Sequence, residues 1–131
     1  MTVLATLLNL PWTMVGLLLG VLSLPRHMRI NREPLALIIT VQSFWWQTWL
    51  PGYKGVRATT TGAIVLLGNK LMANDLEHEL VHVAQYQREP FVHAFLYVFA
   101  SLRHGYRNNK YEIEAYKKAG NVYLEKVKTQ R

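Results

Sequence analysis

The sequence predicts an α+β protein: a short antiparallel sheet packed on a central helix and two further helices, preceded by an N-terminal hydrophobic helix. Three observations carry this. Residues 37–41 and 56–67 are rich in β-branched side chains and bounded by Gly, Pro and Asn, as strands are. Residues 74–89, 90–105 and 109–127 carry helical periodicity or helical punctuation. Residues 2–25 carry no charge and are mostly Leu, Val, Met and Trp.

The chain has 131 residues, half of them apolar, which fits one folded domain with a modest core and excludes a disordered chain. The expected organisation is a hydrophobic segment over residues 1–30 and a domain over residues 31–131. With no cysteine, disulfides and thiolate metal sites are excluded, and the redox compartment stays open. The formal charge is +7, much of it in the last third, where Arg103, Arg107, Lys110, Lys117, Lys118, Lys126, Lys128 and Arg131 oppose Glu112, Glu114 and Glu125. Such a surface suits anionic lipid or is simply a solvated helix face. The chain has no nucleic-acid motif with interleaved aromatics, which argues against that partner.

Taken in order, residues 2–25 are long enough to cross a bilayer as a helix, and Arg26, Arg29 and Arg32 follow at once. By the positive-inside tendency these would keep the rest of the chain in the cytoplasm. Gly16 and Gly20 fit a small-xxx-small packing pattern. Pro11 and the polar Asn9 argue instead for a buried helix packed on the domain. A cleaved signal peptide fits poorly, because no Lys or Arg precedes the apolar run. The expectation is therefore membrane contact through residues 2–25, or failing that a cytoplasmic protein.

Leu37-Ile38-Ile39-Thr40-Val41 reads as a strand, and Phe44, Trp45, Trp46 and Trp49 after it as core, cleft wall or an interfacial belt. Residues 56–67 read as strand material, with Gly62 marking a bulge or turn. The next helix begins at Asn74, where Glu77 stands at capping-box spacing, and ends near Glu89 because Pro90 cannot continue it. Residues 91–100 are apolar almost all round, as a buried core helix would be, with His93 an interior histidine. Gly105 closes that helix. The last helix starts near Asn109, which has capping-box spacing to Glu112.

The chemistry resides in His78-Glu79-Leu80-Val81-His82. Residues four apart share a helix face, so both imidazoles can point at one ion. At ~100° per residue, Leu76, Leu80, Val83 and Ala84 cluster on one side and the histidines on the opposite one. A core histidine pair would sit inside the apolar stripe; these point away from it, into a cleft or solvent. Glu79, beside the first histidine, is placed to take a proton from a metal-bound water. In the last helix Ile113, Tyr116, Ala119, Gly120, Tyr123, Leu124 and Val127 form one inward stripe. Glu112 lies roughly 50° from its centre and Glu114 about 150° away. A carboxylate turned inward needs a partner, and a zinc ion held by two histidines would be one. Glu112 is therefore preferred over Glu114 as third ligand.

At these residues the chain resembles the gluzincin metallopeptidases, in which a Glu on a downstream helix completes the H-E-x-x-H site. The segment Asn109-Lys110-Tyr111-Glu112-Ile113-Glu114-Ala115-Tyr116 looks like their downstream signature. Small predicted bacterial metallopeptidases with His-Glu-Leu-x-His-x-x-Gln and Asn-x-x-Glu-x-Glu-Ala look most similar. The resemblance covers residues 63–120. It implies a zincin-like minimal metallopeptidase core, zinc bound by His78, His82 and Glu112, Glu79 as general base, and a peptide or protein substrate. It also implies that residues 63–67 form the edge strand along which a peptide lies extended. Where many gluzincins have an Asp four residues after the ligand Glu, this chain has Tyr116; Gln85 is the alternative support for a zinc histidine. Tyr97, Arg103, His104 and Tyr106 are the candidates for steadying an oxyanion.

Overall fold

The computed structural model describes residues 2–46 and 56–120. Among them the chain forms five helices and one four-stranded mixed sheet. Trp49 and the predicted inward residues Tyr123, Leu124 and Val127 lie outside the described residues.

The apolar N-terminal run folds as two helices, α1 (Thr2–Leu8) and α2 (Leu10–Leu22). The break falls at Asn9, whose side chain is buried and fully engaged. Its Nδ2 donates to the Tyr86 carbonyl at 2.9 Å and its Oδ1 accepts from the Phe91 amide at 2.8 Å. Pro11 does not break a helix; it sits in the first turn of α2, where its missing N–H leaves nothing unsatisfied. No helix is long and apolar enough to cross a membrane, among the described residues. Gly16 and Gly20 serve helix-on-sheet packing. A Cβ at Gly16 would lie 2.7 Å from the Ile64 Cβ, and one at Gly20 3.1 Å from the Ile39 Cδ1.

The sheet contains β1 (Pro25–Asn31), β2 (Ala36–Val41), β3 (Ala58–Thr61) and β4 (Ile64–Leu67), in the order β1-β2-β4-β3. The sequence reading expects a purely antiparallel sheet. The observed one is mixed: β1/β2 and β3/β4 are antiparallel, whereas β2 and β4 run parallel, with Ile38 opposite Val65. Side-chain chemistry explains the placement. Ile64-Val65-Leu66-Leu67 is apolar on both faces and fully buried, so β4 takes an interior position. The threonines of β3 suit the margin, and the hairpin between them turns at Gly62 with φ +63°. This also corrects the edge strand. Residues 63–67 are flanked on both sides, and β3 stands at the rim. Strand β1 has no counterpart in the sequence reading, which took its arginines as a basic flank.

Each face of the sheet has its own core. Ile39, Val41, Phe44, Trp46, Ile64 and Leu66 pack against Leu17 and Leu19 of α2. On the other face Ala36, Ile38, Val65, Leu67 and Val83 pack with Leu76 and Leu80 of α3 (Asp75–Arg88). Trp46 is thus core, its indole N–H donating to Ser23 Oγ at 2.6 Å, whereas Trp45 is exposed.

The remaining helices are α4 (His93–His104) and α5 (Lys110–Ala119). Three local expectations fail. Asn74 adopts a left-handed conformation and makes no side-chain cap. The α3 N-terminus is secured instead by Asp75, which accepts from the Met72 amide at 2.9 Å and from Arg57 Nε at 2.7 Å. Within α4 only His93 and Ala100 are buried, so it is not a core helix; Leu102 is 82% exposed. In α5 the inward stripe is Tyr111, Glu112 and Ala115, and Ile113 is exposed, along with Ala84 on α3. The stripe of α5 is rotated because Glu112, not an apolar residue, faces α3. The Asn109 cap does form, its Oδ1 accepting from the Tyr111 amide at 2.9 Å.

Candidate metal centre

His78 and His82 occupy successive turns of α3, and α5 lies across that face. Both imidazoles are buried, 3% and 7% exposed, so the cleft expected from the sequence is closed over by α5. The third group comes from α5, whose Asn109 cap starts the helix so that Glu112 points at α3. Freed from the reciprocal capping role, its Oε1 lies 3.0 Å from His78 Nε2 and 3.1 Å from His82 Nε2. The two Nε2 atoms are 3.1 Å apart. Three buried donor atoms thus form a nearly equilateral triangle, one ligand atom from each of His78, His82 and Glu112.

The dimensions fit a cation. Two metal–ligand bonds of about 2.0–2.1 Å at a tetrahedral angle put ligand atoms about 3.3 Å apart. Two imidazoles and one carboxylate are also a donor set that divalent zinc accepts. The group can therefore hold a metal ion, and the geometry selects Glu112, leaving Glu114 elsewhere.

The surrounding groups orient these three. Gln85, one turn past His82, accepts from His82 Nδ1 through its Oε1 at 2.8 Å. That bond fixes the tautomer and turns Nε2 toward the triangle. Gln85 is itself held, its Nε2 donating to the Tyr111 carbonyl at 3.0 Å and to Glu114 Oε1 at 2.7 Å. Glu114 is not a bystander in solvent; it anchors Gln85 and pairs with Arg88 at 2.9 Å. Tyr97 on α4 donates its hydroxyl to Glu112 Oε2, the carboxylate oxygen turned away from the histidines. Tyr116, at the position where many gluzincins have Asp, lays its ring edge-on against His78, with centroids 4.2 Å apart.

Electrostatics follow from this geometry. Burial opposes ionisation of Glu112, but His82, His78 and the Tyr97 hydroxyl outweigh it and hold the carboxyl well below its usual range. Burial likewise opposes charge on His82, yet the Glu112 charge and hydrogen bond raise it to about 9.

Glu79 is adjacent to the triangle and buried. Thr60 Oγ1, on the edge strand β3, donates to its Oε1 at 2.8 Å. Burial raises the Glu79 pKa, against the opposing influence of His82, His78 and Thr60. Among the oxyanion candidates Tyr97 is at the site, bonded to Glu112. Tyr106 lies beside it through a 3.2 Å hydroxyl contact with Tyr116. Arg103 and His104 are exposed at the C-terminal end of α4. Sequence reasoning missed Thr60 and the anchoring role of Glu114. Glu114 had a readable signal, since it is a second carboxylate one helical turn from a basic residue, Lys118. Thr60 had none, because strand pairing decides what faces α3.

No protein-family model, curated protein or solved structure matches this chain.

Proposed function

We propose that the protein is a zinc-dependent metallopeptidase of zincin-like, gluzincin type. One observation supports this above the others: two histidines from α3 and a glutamate from α5 converge on one buried point beside Glu79. Zinc held by His78, His82 and Glu112 would supply a Lewis acid and a water acidified toward neutral pH. The chain's own residues do the rest. Glu79, with its pKa raised by burial, is placed to accept a proton from a bound water and return it to a leaving amine. Gln85 and Tyr97 keep His82 and Glu112 in register. The margin strand β3, which carries Thr60, offers main-chain groups to an extended peptide, so the substrate is a peptide or unfolded protein. We also place the protein at a membrane surface with its catalytic part cytoplasmic. The arginines after the first apolar run and the exposed apolar helix faces support that location.

The test is Glu79→Gln in the zinc-loaded protein, assayed on a peptide library. The variant keeps its zinc and loses hydrolysis by roughly 10²- to 10⁴-fold. Burial of all three ligands favours a second reading, a non-catalytic, zinc-stabilised and membrane-associated scaffold. Stoichiometric zinc with no turnover by the wild type on any peptide would select it.

A further inference from the structure

Helices α1, α2 and α4 leave a broad apolar surface without a partner among the described residues. On α2, Leu10, Met14, Leu18, Val21 and Leu22 are exposed, opposite the glycines that seat the helix on the sheet. On α1, Val3, Leu4 and Leu7 are exposed, and Met28 and Ile30 of β1 extend the surface on the same side of the sheet as Ile39 and Leu37, their cross-strand partners. On α4, Phe95, Val98, Phe99 and Leu102 recur at helical spacing and are exposed, as is Phe91 just before the helix. The two parts are joined. Trp12 of α2 donates its indole N–H to the Phe91 carbonyl at 2.7 Å, and its ring meets Phe95 with centroids 5.3 Å apart. Between them runs an open groove lined by Trp12, Ala94, Phe95, Val98, Phe99 and Leu102. A free monomer rarely presents so much contiguous apolar surface to water.

The distribution of charge names the occupant. Residues 2–32 and 91–104, which build this surface, contain Arg26, Arg29, Arg32 and Arg103 and no Asp or Glu; of these, Arg29 pairs with Ile38 and turns to the other face of the sheet. Every acidic residue of the chain lies in other segments. Arg26 follows the exposed Leu22 and Leu24 where α2 ends, and Arg103 stands one turn after Phe99 on α4. Arg26, Arg32 and Arg103 are exposed. An apolar surface with a cationic border fits acyl chains beneath anionic headgroups. A second copy fits poorly, because pairing this face with itself would bring arginine borders together. Among the described residues no helix is long and apolar enough to span, and the exposed apolar side chains run along the flanks of α1, α2 and α4, which suits insertion in the plane of the interface.

We infer that α1, α2, β1 and α4 form one in-plane docking face for anionic phospholipid bilayers. This rests on the membrane placement above and is independent of the zinc chemistry. The experiment is flotation of the full chain with vesicles of phosphatidylcholine, with and without phosphatidylglycerol. Wild type floats with the anionic vesicles, less so as salt rises. Leu18→Gln with Leu102→Gln, both on exposed positions, loses binding by roughly tenfold or more, with metal content and circular dichroism unchanged. Arg26→Gln with Arg103→Gln loses roughly tenfold on anionic vesicles only. Failure to float with either vesicle overturns both the membrane placement and this inference. Flotation that ignores lipid charge, or that survives Leu18→Gln with Leu102→Gln, overturns this inference alone. A dimer in solution that Leu18→Gln dissociates also overturns it, since a second copy would then cover the face.

Discussion

Gln85 shows how much a single side chain decides here. Its Oε1 receives the His82 Nδ1 proton, and two bonds from its own Nε2 prevent the amide from rotating. Replacing it with Leu removes the tautomer lock while keeping the volume. The expected result is zinc affinity weakened by roughly 10- to 100-fold, read by competition with a chelating dye. Affinity equal to wild type would show that packing alone orients His82. At this scale the sequence is unusually legible. Spacing identifies His78 and His82; the helical wheel prefers Glu112 over Glu114, but from a stripe that wrongly includes the exposed Ile113. Tyr97 was legible only as a polar group near the site. Its bond to Glu112 joins residues on different helices, and no local pattern encodes the approach of α4 to α5.

Among the elements, α2 depends most on close contact. It crosses the sheet at Gly16, where a methyl group would meet the Ile64 Cβ at 2.7 Å and the Thr61 carbonyl oxygen at 2.8 Å. Neither can retreat, since Thr61 O is backbone and Ile64 is core. Gly16→Ala is therefore expected to cost about 1–3 kcal/mol despite its better helix propensity. Val21→Ala on the exposed side of the same helix should change stability by less than about 0.5 kcal/mol. Chemical denaturation of the two variants checks the pair, and equal midpoints would mean that α2 is not docked as described. Element types were legible where pattern and punctuation agree, as in β2, the strand material of residues 56–67 and α3, whereas Gly62 reads equally as a bulge or as the turn it proves to be. The environment of α4 was not. A helix apolar all round reads as buried, but only the arrangement of its neighbours determines whether anything covers it.

The stability of the whole molecule should depend on pH through a histidine outside the candidate metal centre. His93 is 1% exposed and enclosed by the rings of Tyr86, Tyr97 and Tyr111. Burial lowers its pKa to about 4, even though Glu89 lies 3.5 Å away. The unfolded chain takes up this proton near pH 6.5, and the folded chain does so only near 4. Its contribution is thus complete above about 6.5 and is lost as pH falls toward 4, at up to about 1.4 kcal/mol per pH unit. His82 in the metal-free protein behaves oppositely. Its raised pKa gives a contribution complete below about 6.5 that fades as pH rises through about 9. Thermal melts of metal-free protein should therefore fall off between pH 6.5 and about 4.5, and His93→Phe should flatten that window. An unchanged slope in the variant would assign the acid transition to other groups.

The sequence by itself determined which three residues could offer ligand atoms to a metal ion and the helix that carries two of them. These follow from residue type and from a period of 3.6, both local properties. Tertiary structure decided which strand stands at the rim beside Glu79, how Glu112 closes the triangle, and that the apolar N-terminal run and α4 share one uncovered face. Those outcomes depend on the packing of segments far apart in the chain. A parallel pairing of β2 with β4 leaves no trace in any short window of sequence, and the polarity of Asn9 marks a packed helix without naming Tyr86 and Phe91, to which it is tied.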